Sequence, residues 1–293
     1  MKLTWRIIFF YLTLVFTGCQ SGSGDKTHEN KSDEGLARED SAMATDYVLI
    51  SPGEIFEYIF FEELQPDPSF VNPYKNAKKY LTSTKMSLNL GVYTTDFIYL
   101  NACNNKTEIM NYYKAILEMA PKINIYSGTE ERFPERIQKN FANHDSLNEL
   151  SKLVYYRILD DLQQEGRKKT YSLIAGGVIV ESVYLAIMNV KKFEDFIPLT
   201  QKIFDQKEFL NNTYDFIASN KQDKDVTALL SQLEELKQCF EGLKVSMKDV
   251  AVSKNDSSHL KVEGGAEIKV SAADFEKLKS TATRVRNEIV SDK

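Results

Sequence analysis

Apolar residues recur at helical spacing along most of the chain beyond residue 50. Between Lys85 and Asn104, Met86, Leu90, Tyr93, Phe97 and Leu100 form one stripe, and Leu88, Val92, Asp96, Tyr99 and Cys103 form a second. Two stripes leave little polar circumference, so this helix is predicted to be central. "TEIMNYYKAILEMA" is an amphipathic partner that stops at Pro121. "EERFPERIQKNF", "DSLNELSKLVYYRILDDLQQ", "KTYSLIAGGVIVESVYLAIMNV", "DFIPLTQKIFDQ", "EFLNNTYDFIAS" and "DVTALLSQLEELKQCFEGL" read as further helices by the same period. Start signals agree with it. Ser51, Pro52 and Glu54 stand as N-cap, first helical residue and reciprocal capping partner, and Asn72-Pro73 opens "NPYKNAKKYL" in the same way. A last helix begins at Ser271, with Asp274 three residues on, and carries Phe275, Leu278, Ala282, Val285 and Ile289. Strand-like alternation is seen in Leu260/Val262 and Ile268/Val270, around a predicted turn at Gly264-Gly265. The pattern predicts an all-α fold, a multi-helix bundle or short α-solenoid, with a small C-terminal β-hairpin and a terminal helix.

Two of these helices match each other. "SLNLGVYTTDFIYL" (87–100) and "SLIAGGVIVESVYL" (172–185) align without gaps at an offset of 85 residues, pairing Ser87 with Ser172, Gly91 with Gly176, Asp96 with Glu181 and Tyr99 with Tyr184. Each is followed by a polar break and three further helices. The expectation is two pseudo-repeats, about 83–165 and 168–243, related by a pseudo-twofold axis or by stacking.

The match puts the oddest chemistry in corresponding places. Asp96 and Glu181 each interrupt an apolar stripe, and neither helix offers a Lys or Arg between its flanking lysines, Lys85 and Lys106 or Lys169 and Lys191. An unpaired buried carboxylate costs several kcal/mol, about 2–7 for a polar group alone, so partners must come from other helices. Arg157, in "LVYYRILDDL", and the tyrosines are the candidates, and Gly91, Gly176 and Gly177 allow neighbouring helices to approach closely. Two readings compete: hydrogen-bonded acids that fix helix register, for which Asn and Gln isosteres would cost little, or a pocket for a polar ligand. A third use, as the acid/base pair of an envelope hydrolase, has only the two carboxylates in its favour.

The first 18 residues carry Lys2 and Arg6 and no acid, then an apolar stretch from Ile7 to Phe16, which is the pattern of a secretory signal peptide. "FTGC" resembles the lipobox of bacterial lipoproteins, with Phe16 where Leu is usual. The resemblance implies cleavage before Cys19, acylation of its thiol and attachment to the membrane, where each buried methylene contributes about 0.8 kcal/mol. Residues 20–46 hold almost nothing apolar and read as a flexible tether, leaving 47–293 as a single helical domain.

Charge narrows the partners. The chain has 37 basic and 42 acidic residues, and loss of Lys2 and Arg6 with the signal leaves a net charge of −7, which speaks against nucleic acid. Beyond Cys19, Cys103 and Cys239 sit among apolar residues and read as free buried thiols. His28, His144 and His259 have no metal-ligand spacing, and neither a phosphate loop nor a nucleophile elbow is present, so no metal, cofactor or catalytic residue is assigned. The stretches "SLNLGVYTTDFIYLNACNN", "SLIAGGVIVESVYLAI" and "FEKLKSTATRVRNEIV" are similar to a group of uncharacterised, all-helical lipoproteins of Bacteroidota, over most of residues 50–290. That resemblance implies a helical fold and an envelope location, with no activity to carry over. Gln20 lacks the Asp that resembles an inner-membrane retention signal, so the outer membrane is the expected address. The expectation for function is a membrane-anchored interaction or ligand-binding module, facing an envelope protein or a small polar ligand.

Overall fold

The helical period becomes nine α-helices among the described residues of the computed structural model, which are 49, 51–53, 55–56, 66–126, 133–140, 143–194, 197–254 and 260–292. In chain order they are α1 Ser83–Ala102, α2 Lys106–Met119, α3 Phe133–Asn140, α4 His144–Gln164, α5 Lys168–Met188, α6 Ile197–Asp205, α7 Lys207–Ala218, α8 Lys224–Glu241 and α9 Ala272–Val290. Short 3-10 turns, Pro68–Phe70 and Tyr74–Lys79, precede α1, and a third, Ala120–Ile123, carries Pro121 beyond the end of α2. Cys19 with the predicted signal and tether, His28, His259 and the capping partner Glu54 lie outside the described residues.

Thr45–Lys293 forms one compact unit, and α1 and α5 are its axis. Every residue of α1 from Met86 to Asn101 is buried, as is every residue of α5 from Tyr171 to Ile187. By length and composition α5 would cross a membrane, but here its apolar circumference is covered by protein. The two helices run in the same direction. Thr84 and Lys169 both reach Asp225 near their N-termini, Gly91 lies against Ile174 and Val178, and the Asn189 amide donates to the Tyr99 hydroxyl at 2.8 Å. Glycine makes this approach possible. A Cβ on Gly91 would stand 2.9 Å from the Val178 nitrogen and closer still to the Ile174 carbonyl oxygen. One on Gly177 would run into the Leu88 carbonyl.

Two apolar cores flank this axis. On one side Leu90, Tyr93 and Phe97 pack with Tyr113 and Ile116 of α2 and Val154 and Ile158 of α4. On the other, Val180 and Ile187 pack with Phe204, Leu210, Leu233 and, from α9, Phe275, Leu278 and Val285. Capping fixes where several helices start. Thr82, Asn105, Asn143 and Asp223 each accept a backbone N–H of the first turn, and Ser271 and Asp274 form a reciprocal capping box at α9.

Two local expectations are corrected. Asn72-Pro73 does not cap an α-helix. The Asn72 side chain is engaged by Tyr80 and Asn76, so Tyr74–Lys79 forms a 3-10 turn without a side-chain cap. Gly264-Gly265 is not a turn either. Strands β1, Lys244–Lys254, and β2, Leu260–Lys269, pair antiparallel, and both glycines lie inside β2. Lys248 pairs with Gly265 and Ala251 with Glu263, so two residues of β1 oppose one of β2, a bulge that glycine tolerates.

Candidate functional site

The parallel packing of α1 and α5 brings Asp96 and Glu181 together at the centre of the fold. Both are 0 % exposed. The cation comes from α9: Arg286 Nε donates to Glu181 Oε2 at 3.1 Å and Nη2 to Oε1 at 3.2 Å, a two-pronged ion pair. Nη2 also approaches the Phe70 carbonyl at 3.5 Å, and the guanidinium carbon stands 4.6 Å from the centre of the Tyr184 ring. The sequence pointed to Arg157 of α4 as the partner. Arg286 takes that place, because α9 lies on α5 with its buried face toward the acids.

Asp96 is held differently. Its Oδ2 accepts the Asn72 backbone N–H at 3.1 Å, while Oδ1 meets no conventional donor. Complete burial and, next, the negative charge of Glu181 push the Asp96 carboxyl well above the ordinary carboxylate range, against the opposing pull of Arg286 and the Asn72 N–H. This favours the protonated, neutral form of Asp96. In that form Oδ1 can donate to the neighbouring Glu181 carboxylate, which would give the otherwise unpartnered atom its hydrogen bond. Burial works against the charge on Arg286, yet Glu181, by its charge and its hydrogen bonds, raises the Arg286 pKa above the ordinary guanidinium value. One cation, one anion and one shared proton leave the group neutral.

Polar contacts spread from this centre to the end of α9. The Asn72 amide donates to the Tyr80 hydroxyl at 2.9 Å, and that hydroxyl donates to the Val290 carbonyl at 3.0 Å. Asn89 and Lys85 of α1 donate to the Ile289 and Glu288 carbonyls. The last carbonyls of α9, which a helix cannot satisfy internally, are thus taken by α1 and the segment before it. Tyr93 donates to the Pro73 carbonyl at 3.1 Å, and burial pushes its own phenol pKa far up.

An acid/base pair needs a reacting group within hydrogen-bond reach. Here both carboxyls face protein, and the cavities at the α9 surface, beside Tyr74–Lys79 and near Phe240 are lined by other residues. What the arrangement does chemically is to lock three helices and the segment before α1 in one register. Sequence reasoning missed Arg286, Asn72 and Tyr80. Arg286 had a signal: it follows Val285 and lies four residues after Ala282, which puts it on the buried stripe of α9. Cys103 and Cys239 are free thiols, and burial pushes Cys103 up to about 12. Among the described residues no three His, Cys, Asp or Glu side chains come together as a metal site. Comparison with known protein families, curated proteins and solved structures gave no match to this chain.

Proposed function

We propose that this chain is a lipid-anchored cell-envelope protein, held at the outer membrane through Cys19, whose helical domain serves as an interaction or ligand-binding module. The observation that carries the reading is the closed state of its two central acids. Asp96 and Glu181 are sealed against Arg286 in the core, as a structural joint would be, while the lipobox-like "FTGC" supports the anchor. The axis also supports an internal duplication of about 83–165 and 168–243. Asp96 and Glu181, matched at an offset of 85, face each other across the parallel pair, although the matched Gly91 and Gly176 do not, and each segment holds four helices. The second helices differ, however: α2 has 14 residues and α6 has nine, and within its own segment α5 packs more on α7 than on α6, whereas α1 packs most on α2. The duplication therefore concerns the central helices most directly.

The anchor is tested by expressing the full chain and its Cys19→Ser variant in a host that processes lipoproteins. The native chain should incorporate a fatty-acid analogue and sediment with outer membranes. The variant should do neither. Membrane retention of the variant with no lipid detected on the native chain would sink the reading.

A further inference from the structure

We propose that the groove between the 3-10 turn Tyr74–Lys79 and α2 binds a small phosphate ester that carries neighbouring hydroxyls, gripped by Lys75, Lys78 and Lys114. This rests on the ligand-binding reading above and names the class of ligand. The groove has a volume of about 410 Å³, the size of a small-ligand site, and its lining is chemically mixed. Three lysines line it in a protein whose net charge is −5. Among the described residues none of the three lysines is in an ion pair, whereas Lys152, Lys169, Lys237, Arg284 and Arg286 all have carboxylate partners. Lysine binds phosphate as a point charge and does not need the planar fork of arginine. Asn111 and the single carboxylate of the lining, Glu118, are suited to hydroxyl groups beside that phosphate.

The walls are fixed before any ligand arrives. Tyr74 packs edge-on against the buried Tyr112 ring with centroids 6.1 Å apart, and the Lys75 ammonium lies 5.9 Å from the Tyr74 centroid. The turn itself is pinned at both ends. The Asn76 amide donates to Asn72 Oδ1, the Asn72 N–H donates to Asp96 Oδ2, and Tyr80 closes the turn through Asn72 and Val290. The buried acids thereby act as positioning residues for one wall of the groove. A wall held in place loses little conformational entropy when a ligand binds.

Two sources share this chemistry, a free sugar phosphate and the headgroup of a glycerophospholipid. The test is acetylation footprinting of the lysines by mass spectrometry on the full chain, with calorimetry as the affinity readout. In neutral detergent the probes are glucose 6-phosphate and glucose; in nanodiscs they are phosphatidylglycerol mixed with phosphatidylcholine against phosphatidylcholine alone. Glucose 6-phosphate should bind saturably and protect Lys75, Lys78 and Lys114 but not Lys122, and glucose should do neither. A Lys75→Gln/Lys78→Gln/Lys114→Gln variant, altered only at exposed side chains, should lose about tenfold or more in affinity, as expected for three screened charge contacts. Protection by phosphatidylglycerol alone would assign the phosphate to a lipid headgroup. No protection by either phosphate probe, or equal affinity in the triple variant, would overturn the proposal. Such a failure with Cys19-dependent membrane attachment intact would remove the groove and leave the anchored module standing.

Discussion

Replacing each central acid by its amide separates their roles, because the two amides remove different things. Glu181→Gln takes the counter-charge from Arg286, which is only 8 % exposed and otherwise meets the Phe70 carbonyl, the Tyr184 ring and the field of nearby Asp96. Stranding one member of a buried pair costs about 3–5 kcal/mol. Asp96→Asn removes only a proton that was already bound. The Asn amide can donate to Glu181 where the acid did, and its oxygen can still accept from Asn72, so the intrinsic loss is below about 1 kcal/mol. The pH dependence has a definite sign. Asp96 has a raised pKa in the folded state, so folding takes up a proton at any pH above its unfolded value of about 3.9. Its contribution is fully present below that value and is lost as pH rises toward the folded pKa. Over that window the native chain should lose about 1.4 kcal/mol per pH unit relative to Asp96→Asn. The variant is therefore expected to equal or exceed the native protein at neutral pH. Urea denaturation followed by circular dichroism, from about pH 5 to about pH 8, measures both effects. The double variant should be worse than the sum by about 0.5–3 kcal/mol, since Asp96 can ionise beside Arg286 when Glu181 is gone but Asn cannot. Greater damage from Asp96→Asn than from Glu181→Gln, or a pH-independent difference between the native chain and Asp96→Asn, would refute the charge assignment.

Two further outcomes follow from the packing. Gly91→Ala and Gly177→Ala each set a methyl group against backbone of the facing helix, so a loss of about 3 kcal/mol or more should outweigh the gain of about 1 kcal/mol in helix propensity. Gly176→Ala meets the Leu229 side chain, which can turn away, and should be clearly milder in the same denaturation assay; equal effects at all three positions would count against the close approach of α1 and α5. The two thiols should part company: Cys239 is buried, as expected, and should react with a maleimide only as the protein unfolds, whereas Cys103 is only half-buried and should label sooner. Rapid labelling of Cys239 in native buffer would contradict its placement.

Most helices were legible in the sequence because their apolar period persists for ten residues or more, and Ser271 with Asp274 marked the start of α9 unambiguously. The acids were legible as anomalies for the same reason: a carboxylate breaks an apolar stripe. Their partner was not. Glu181 and Arg286 are 105 residues apart, and nothing local distinguishes Arg286 from an exposed arginine except its place on the α9 stripe. Asn72 misled because an Asn before Pro is a good cap in isolation, but here its N–H is drawn to Asp96 and its amide to Tyr80. Gly264-Gly265 misled because glycine is favoured both at turns and at bulges, and only the pairing register tells them apart.

The joint also shows how two acids on closely packed helices can be buried together. If α1 and α5 are duplicated elements, their parallel packing forces corresponding acids to face each other. Two unit charges about 4 Å apart repel by about 4 kcal/mol at the effective dielectric of a protein, so both cannot be ionised without help. The help is asymmetric. Arg286 belongs to α9, a third helix, and it pairs with the longer Glu181 while the shorter Asp96, whose pKa is raised, receives the Asn72 N–H. A symmetric partner would have needed two cations in the core and two desolvation penalties. One arginine and one proton neutralise the pair at lower cost. They also make α9 and the segment before α1 necessary to the axis, which is why the C-terminal carbonyls of α9 are so fully claimed by Tyr80, Asn89 and Lys85.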